Sequence, residues 1–177
     1  MKLIRSAAAP AAALALGVLA ATVIPAASAT PSPSAGTAAT IATHQLHVRA
    51  TTRQFALVDP GHDGPGVGDL LVESDDLTIG GRPSGESGST CSFVAAVPGS
   101  SLTCNSIVTL SLPAGQLTLQ GLFTGPFGPP TTPLALSYAV TGGTGAYTAA
   151  QGTADVIDNP GGVETYDITL VRGHGRH

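Results

Sequence analysis

The chain has 177 residues, a formal charge of −4 at pH 7, and a composition that is 42% hydrophobic but only 10% charged. Because nucleic acids and anionic membrane surfaces are bound through clustered lysines and arginines, the acidic balance and lack of a basic stripe exclude both as partners. The length suits one domain with a core of its own.

The first 29 residues have the pattern of a secretory signal peptide. Lys2 and Arg5 form a short positive region, an Ala/Leu/Val-rich run follows, and Ala27-Ser28-Ala29 supplies the small residues of a cleavage site. A retained membrane anchor is the alternative, which the prolines in this segment disfavour. We therefore expect a secreted, extracellular protein whose mature chain begins at Thr30.

Residues 44–171 are predicted to form an all-β domain between a flexible leader (30–43) and a disordered tail (172–177). Short Thr/Val/Leu-rich runs separated by Gly and Pro predict strands near 45–58, 68–78, 88–97, 101–112, 115–123, 133–141, 151–158 and 162–171. Short sequential connections favour an eight-stranded antiparallel up-and-down barrel over a sandwich, because closure removes exposed edges. Such a barrel has room for packed side chains or one small ligand.

Alternation within these strands separates two faces. Leu134, Leu136, Tyr138 and Val140 share one face of their strand. We take Tyr138 and Phe93 as candidate ligand-binding residues of the barrel interior. An interior lined by Leu, Val and Thr would suit a small apolar ligand, an aliphatic one slightly better than a flat aromatic one.

Two cysteines, Cys91 and Cys104, flank a segment with Pro98-Gly99 near its midpoint. Two strands that fold back at this turn would place the sulfur atoms roughly opposite each other. On an exported chain this predicts a disulfide that contributes about 3 kcal/mol, with a free reactive thiol as the alternative.

Acidic residues are densest around the second predicted strand. Glu73 and Asp75 share a strand face with Leu71 and Leu77. If that face points inward, the two carboxyl groups are a candidate general acid/base pair, and both are predicted as catalytic. If it points outward, they are a solvated strand end, so the alternatives stay open.

No metal or cofactor is expected. Asp59, His62, Asp63 and Asp69 lie in a glycine-rich loop, but their spacing does not match a calcium loop. The run Gly142-Gly143-Thr144-Gly145 is followed almost at once by another strand-like segment, which predicts a tight connection and not a phosphate-binding loop.

This glycine run also carries a family resemblance. The segment from Val140 to Tyr147 resembles the Gly-Gly-Thr-Gly segment of dirigent proteins and allene oxide cyclases. Three further segments match in the same order, at Gly68-Asp69-Leu70, Ser89–Val94 and Leu117–Gly121. The resemblance implies an eight-stranded calycin-like barrel, often trimeric, with an apolar lumen.

The resemblance implies the activity of this chain less directly than it implies the fold. Allene oxide cyclases close an unstable fatty-acid epoxide without a cofactor, and dirigent proteins steer the coupling of phenoxy radicals. This chain has Asp75 where the cyclases have an asparagine, and it lacks their polar pair on the first strand. We therefore expect a cofactor-free isomerase or cyclase, or a stereochemical guide, acting on a small apolar molecule. The alternative is a non-catalytic binding protein or a structural exported barrel.

Overall fold

The computed structural model describes residues 42–61, 64–97, 99–126 and 128–172. The expected signal peptide, most of the leader, the tail beyond residue 172, and His62 and Asp63 lie outside the described residues. All described residues belong to one compact unit.

The predicted all-β fold is confirmed: eight antiparallel strands close into a barrel in the order of the sequence. In the described part of the chain, no helix is long and apolar enough to cross a membrane. The strands are β1 (Ala42–Val58), β2 (Leu70–Ile79), β3 (Arg82–Val97), β4 (Ser101–Leu112), β5 (Gly115–Pro126), β6 (Leu134–Gly143), β7 (Gln151–Asn159) and β8 (Val163–Arg172).

Pairing between β1 and β8 closes the barrel, from Ala42 opposite Arg172 to Thr51 opposite Val163. Seven strands begin within about three residues of the predicted positions, but β3 begins at Arg82 and not near residue 88. The early start needs Gly85, which has a φ of +133° and where a Cβ atom would lie 1.9 Å from the Ser111 carbonyl oxygen.

The interior is packed solid in one half of the barrel. The largest fully buried side chains of this half are Leu77, Leu110, Leu117, Leu119 and Ile168. They lie toward the β2–β3, β4–β5 and β6–β7 turns, which we call the closed end. Each fully buried aliphatic side chain contributes about 1.5–3 kcal/mol, so this layer holds the strands together and forms a floor beneath the open end.

The glycine run lies at the closed end. After β6, a 3₁₀ turn of only three residues (Gly145–Tyr147) precedes β7. The backbone N–H groups of Thr144 and Ala146 donate to the carbonyl oxygens of Gln116 and Ala114, each at 2.8 Å. The predicted tight connection is confirmed, because the glycines let this turn pack directly on the β4–β5 connection.

The predicted disulfide between Cys91 and Cys104 is present, with Cα atoms 5.5 Å apart. The two residues are diagonal neighbours, since Cys91 lies opposite Ser106 and Cys104 lies opposite Phe93. The bond ties β3 to β4 near the open end, where a bulge between Phe93 and Ala95 interrupts their register.

Candidate functional site

A cavity of about 370 Å³ fills the open half of the barrel. Its wall is mainly apolar and has contributions from all eight strands, and its apolar side chains include Phe55, Leu71, Leu102, Phe123, Leu134 and Leu136. The proline-rich connection after β5 contributes Pro129 and Pro130. The cavity is large enough for one small organic molecule.

Four carboxyl groups occur on inward-facing strand positions around this cavity. Glu73, Asp158 and Glu164 line it directly, from β2, β7 and β8. Asp75 lies one inward position deeper on β2 and is only 2% exposed. The acidic cluster is therefore part of the lumen and not a solvated strand end, which resolves the two alternatives for Glu73 and Asp75.

Hydroxyl groups hold three of these carboxyl groups in place. Thr52 Oγ1 donates to Glu73 Oε1 at 2.6 Å, and Ser87 Oγ donates to Asp75 Oδ2 at 2.5 Å. The Tyr166 hydroxyl donates to Glu164 Oε2. These donors come from three different strands, so closure of the barrel fixes the positions of the acids.

Burial in the lumen raises the pKa of each of these acids, because it disfavours the charged form. The pKa of Glu73 rises to about 7, mainly by burial and further by the charge of Asp75. Burial likewise raises the pKa of Glu164 to about 8, assisted by Glu73 and Asp158. The pKa values of Asp75 and Asp158 are also raised by burial.

No lysine, arginine or histidine is among the side chains that line this cavity in the described residues. Arg53 points to the outer surface instead, where it pairs with Asp76 at 3.4 Å and Glu86 at 3.3 Å. The negative charge of the lumen carboxyl groups is therefore reduced by bound protons and stabilised by hydroxyl donors. Near neutral pH the cluster contains both carboxylic acids and carboxylates.

Of the two residues predicted to contact a ligand, Tyr138 lines the cavity and donates from its hydroxyl to Ser106 Oγ at 3.3 Å. Burial raises its pKa to about 12, so the phenol stays protonated. Phe93 points inward but is not one of the cavity-lining side chains. It packs with Leu102 and the disulfide in a small separate cluster, and Cys91 supplies the adjoining wall.

Seven polar residues of the site were missed from the sequence: Thr52, Ser87, Ser89, Ser106, Asp158, Glu164 and Tyr166. Alternation in the last strand was a usable signal, because Glu164 lies two residues before Tyr166 and so shares its face. Ser87 was missed because β3 begins earlier than predicted. In the described residues, no group of three or more His, Cys, Asp or Glu side chains is arranged to hold a metal ion.

Comparisons with known proteins give structural neighbours only, since no protein-family model and no curated protein sequence matches the chain. A pyocyanin demethylase is 28% identical, with a TM-score of 0.59 over 72% of this chain and 99% of that one. A heme-binding cyclase that catalyses a cycloaddition in neoabyssomicin biosynthesis is 14% identical, with a TM-score of 0.55 over 76% of this chain and 68% of that one.

A Diels-Alderase from Streptomyces koyangensis is 12% identical, with a TM-score of 0.51 over 78% of this chain and 72% of that one. At these identities the two cycloaddition enzymes show the fold alone. The barrel fold that the resemblance implied is thus supported, and allene oxide cyclase specifically is not among these neighbours. The chain has a barrel fold that is shared by cyclases, Diels-Alderases and a demethylase.

Proposed function

We propose that this chain is a barrel enzyme that binds a small, largely apolar organic molecule in its lumen and rearranges it by proton transfer. The observation that carries the proposal is the cluster of four carboxyl groups, Asp75 buried and the other three half-buried, around a cavity that no cationic side chain of the described residues lines. A packed structural barrel has no need of such a cluster, because buried uncompensated acids destabilise a fold.

The raised pKa values give the acids different protonation states near neutral pH. Glu164, with a pKa of about 8, holds a proton that it can donate to a ligand atom. A neighbouring carboxylate can remove a proton from a second ligand atom. One proton enters and one leaves, so the product is an isomer of the substrate and the step needs no further reactant.

Glu73 and Asp75 have different roles in this scheme. Glu73 lines the cavity and can contact the ligand. Asp75 is almost fully buried two residues further along β2 and acts through Glu73, whose pKa it raises by its charge. Asp75, predicted as catalytic from the sequence, is therefore proposed as a positioning residue.

Native mass spectrometry and chromatography test this proposal, with pyocyanin and an extract of the producing culture as separate ligand sources. Pyocyanin is included because the demethylase neighbour acts on it. We expect a one-to-one complex and a converted product with at least one source. Glu73→Gln and Glu164→Gln should each lower turnover at least about 100-fold and keep the complex.

The exposed Glu86 supplies the control, since Glu86→Gln should leave turnover unchanged. A complex without turnover would favour the competing function, a non-catalytic binding protein. No complex from either source would reject the lumen as a ligand site.

We also propose that the protein is secreted. The signal-peptide pattern of residues 1–29 supports export, and the Cys91–Cys104 disulfide suits the oxidising environment outside the cytoplasm.

A further inference from the structure

Asp158 differs from the other three acids of the lumen. Glu73, Asp75 and Glu164 each accept a hydrogen bond from a hydroxyl group of the protein. Within the described residues, no side-chain or backbone group donates a hydrogen bond to the Asp158 carboxyl. Since this carboxyl lines the cavity, its oxygen atoms face the space that a ligand would occupy.

The strand register places a second acid directly beside it. Asp158 on β7 lies opposite Glu164 on β8, and both side chains line the cavity. Like charges at directly opposed positions of an antiparallel pair destabilise the sheet, which favours a proton on one of the two carboxyl groups. A cation between or above them would stabilise the charged form of the other.

Among the residues that the structure describes, no cationic side chain lines this cavity. Arg53 is held on the outer surface by Asp76 and Glu86, and His47 is paired with Asp167 on the outer face of β1 and β8, at 2.5 Å. The cavity wall also carries two aromatic side chains, Phe123 on β5 and Tyr138 on β6. Aromatic side chains favour contact with a flat apolar body, and the faces of their rings also attract cations.

We propose that the lumen selects an organic molecule with a positively charged or basic nitrogen on a flat apolar body, and that Asp158 is its counter-ion. This inference rests on the proposed function, because it names the ligand class of the same cavity. In this proposal the β7–β8 hairpin binds the charged part of the ligand, and β4, β5 and β6 contact its apolar part.

Two probes of the same shape test the inference by isothermal titration calorimetry on the whole protein. N-methylquinolinium is a flat cation, and methylnaphthalene with its methyl group at the matching position is the neutral isostere. We expect the cation to bind at least about tenfold more tightly than the neutral probe. Asp158→Asn should remove most of this preference and leave the affinity for methylnaphthalene unchanged.

Asp155 provides the matched control, because it lies three residues earlier on β7 and its side chain is exposed on the outer face. Asp155→Asn should retain the full preference for the cation. Equal affinity of the wild-type protein for both probes would overturn the inference and leave the proposed function standing. Binding of neither probe would overturn both, and this comparison needs no variant to fold.

Discussion

The clearest quantitative consequence of the acidic lumen is a pH-dependent stability that a single amide substitution should remove. Glu164→Gln replaces the carboxyl by a neutral group of the same shape, and the amide oxygen can still accept the hydrogen bond from Tyr166. In the wild-type protein, burial raises the pKa of Glu164 from an ordinary 4.5 to about 8.

The sign of the effect follows from proton linkage. Between pH 4.5 and 8 the folded state binds a proton at Glu164 that the unfolded state releases, so rising pH destabilises the wild-type protein. Above pH 8 Glu164 is charged in both states, and the folded state bears the full free-energy cost of burying that charge. The two pKa values correspond to at most about 5 kcal/mol. Because water reaches this partly exposed carboxyl, we expect about 2 kcal/mol, or roughly 6 °C in Tm.

Differential scanning calorimetry near pH 5 and pH 9 measures this effect. Near pH 9 the variant should melt roughly 6 °C above the wild-type protein, and near pH 5 the two should melt within about 2 °C of each other. Glu86→Gln, on the exposed outer face of β3, should follow the wild-type profile at both pH values. Parallel profiles for Glu164→Gln and the wild-type protein would refute the assignment of a buried, proton-binding carboxyl to Glu164.

Two further predictions concern the scaffold. Replacing Cys91 and Cys104 together by serine should lower the free energy of unfolding by about 3 kcal/mol, since the bond closes a loop with a sequence separation of 13. A denaturant curve should show the same loss for reduced wild-type protein, and an unchanged midpoint would contradict a closed disulfide. Gly143→Ala should destabilise by about 1–3 kcal/mol, because a Cβ atom there would lie 2.5 Å from the Gln116 carbonyl oxygen. Gly88→Ala, with open space around its Cβ position, should cost far less, and equal losses would contradict the packing of the glycine turn.

Much of this architecture could be predicted because its signals are local. Strict alternation, as from Leu134 to Val140, requires a strand with two different faces, and the turn residues between such runs require hairpins. The spacing of Cys91 and Cys104 around a turn predicted their bond for the same reason. The start of β3 was misplaced because pairing through Gly85 depends on a close approach of β4 that no local pattern shows.

The candidate site was predicted only in part. Glu73 and Asp75 could be named from their shared face with leucines, but a shift of one residue in register would have turned both outward. The β1 bulge between Thr52 and Gln54 illustrates the same limit. It shifts the alternation of inward and outward side chains, so that Phe55 lines the cavity.

The sequence by itself determined an all-β chain with eight strands, their order, and a disulfide near one end. It determined these because strand alternation, turns and a short covalent loop are set by residues close together in the chain. Only the tertiary structure decided that Glu73 and Asp75 share one cavity with Asp158 and Glu164. These two pairs are separated by more than eighty residues and meet because β8 returns to pair with β1, and the same closure buries them and sets their protonation.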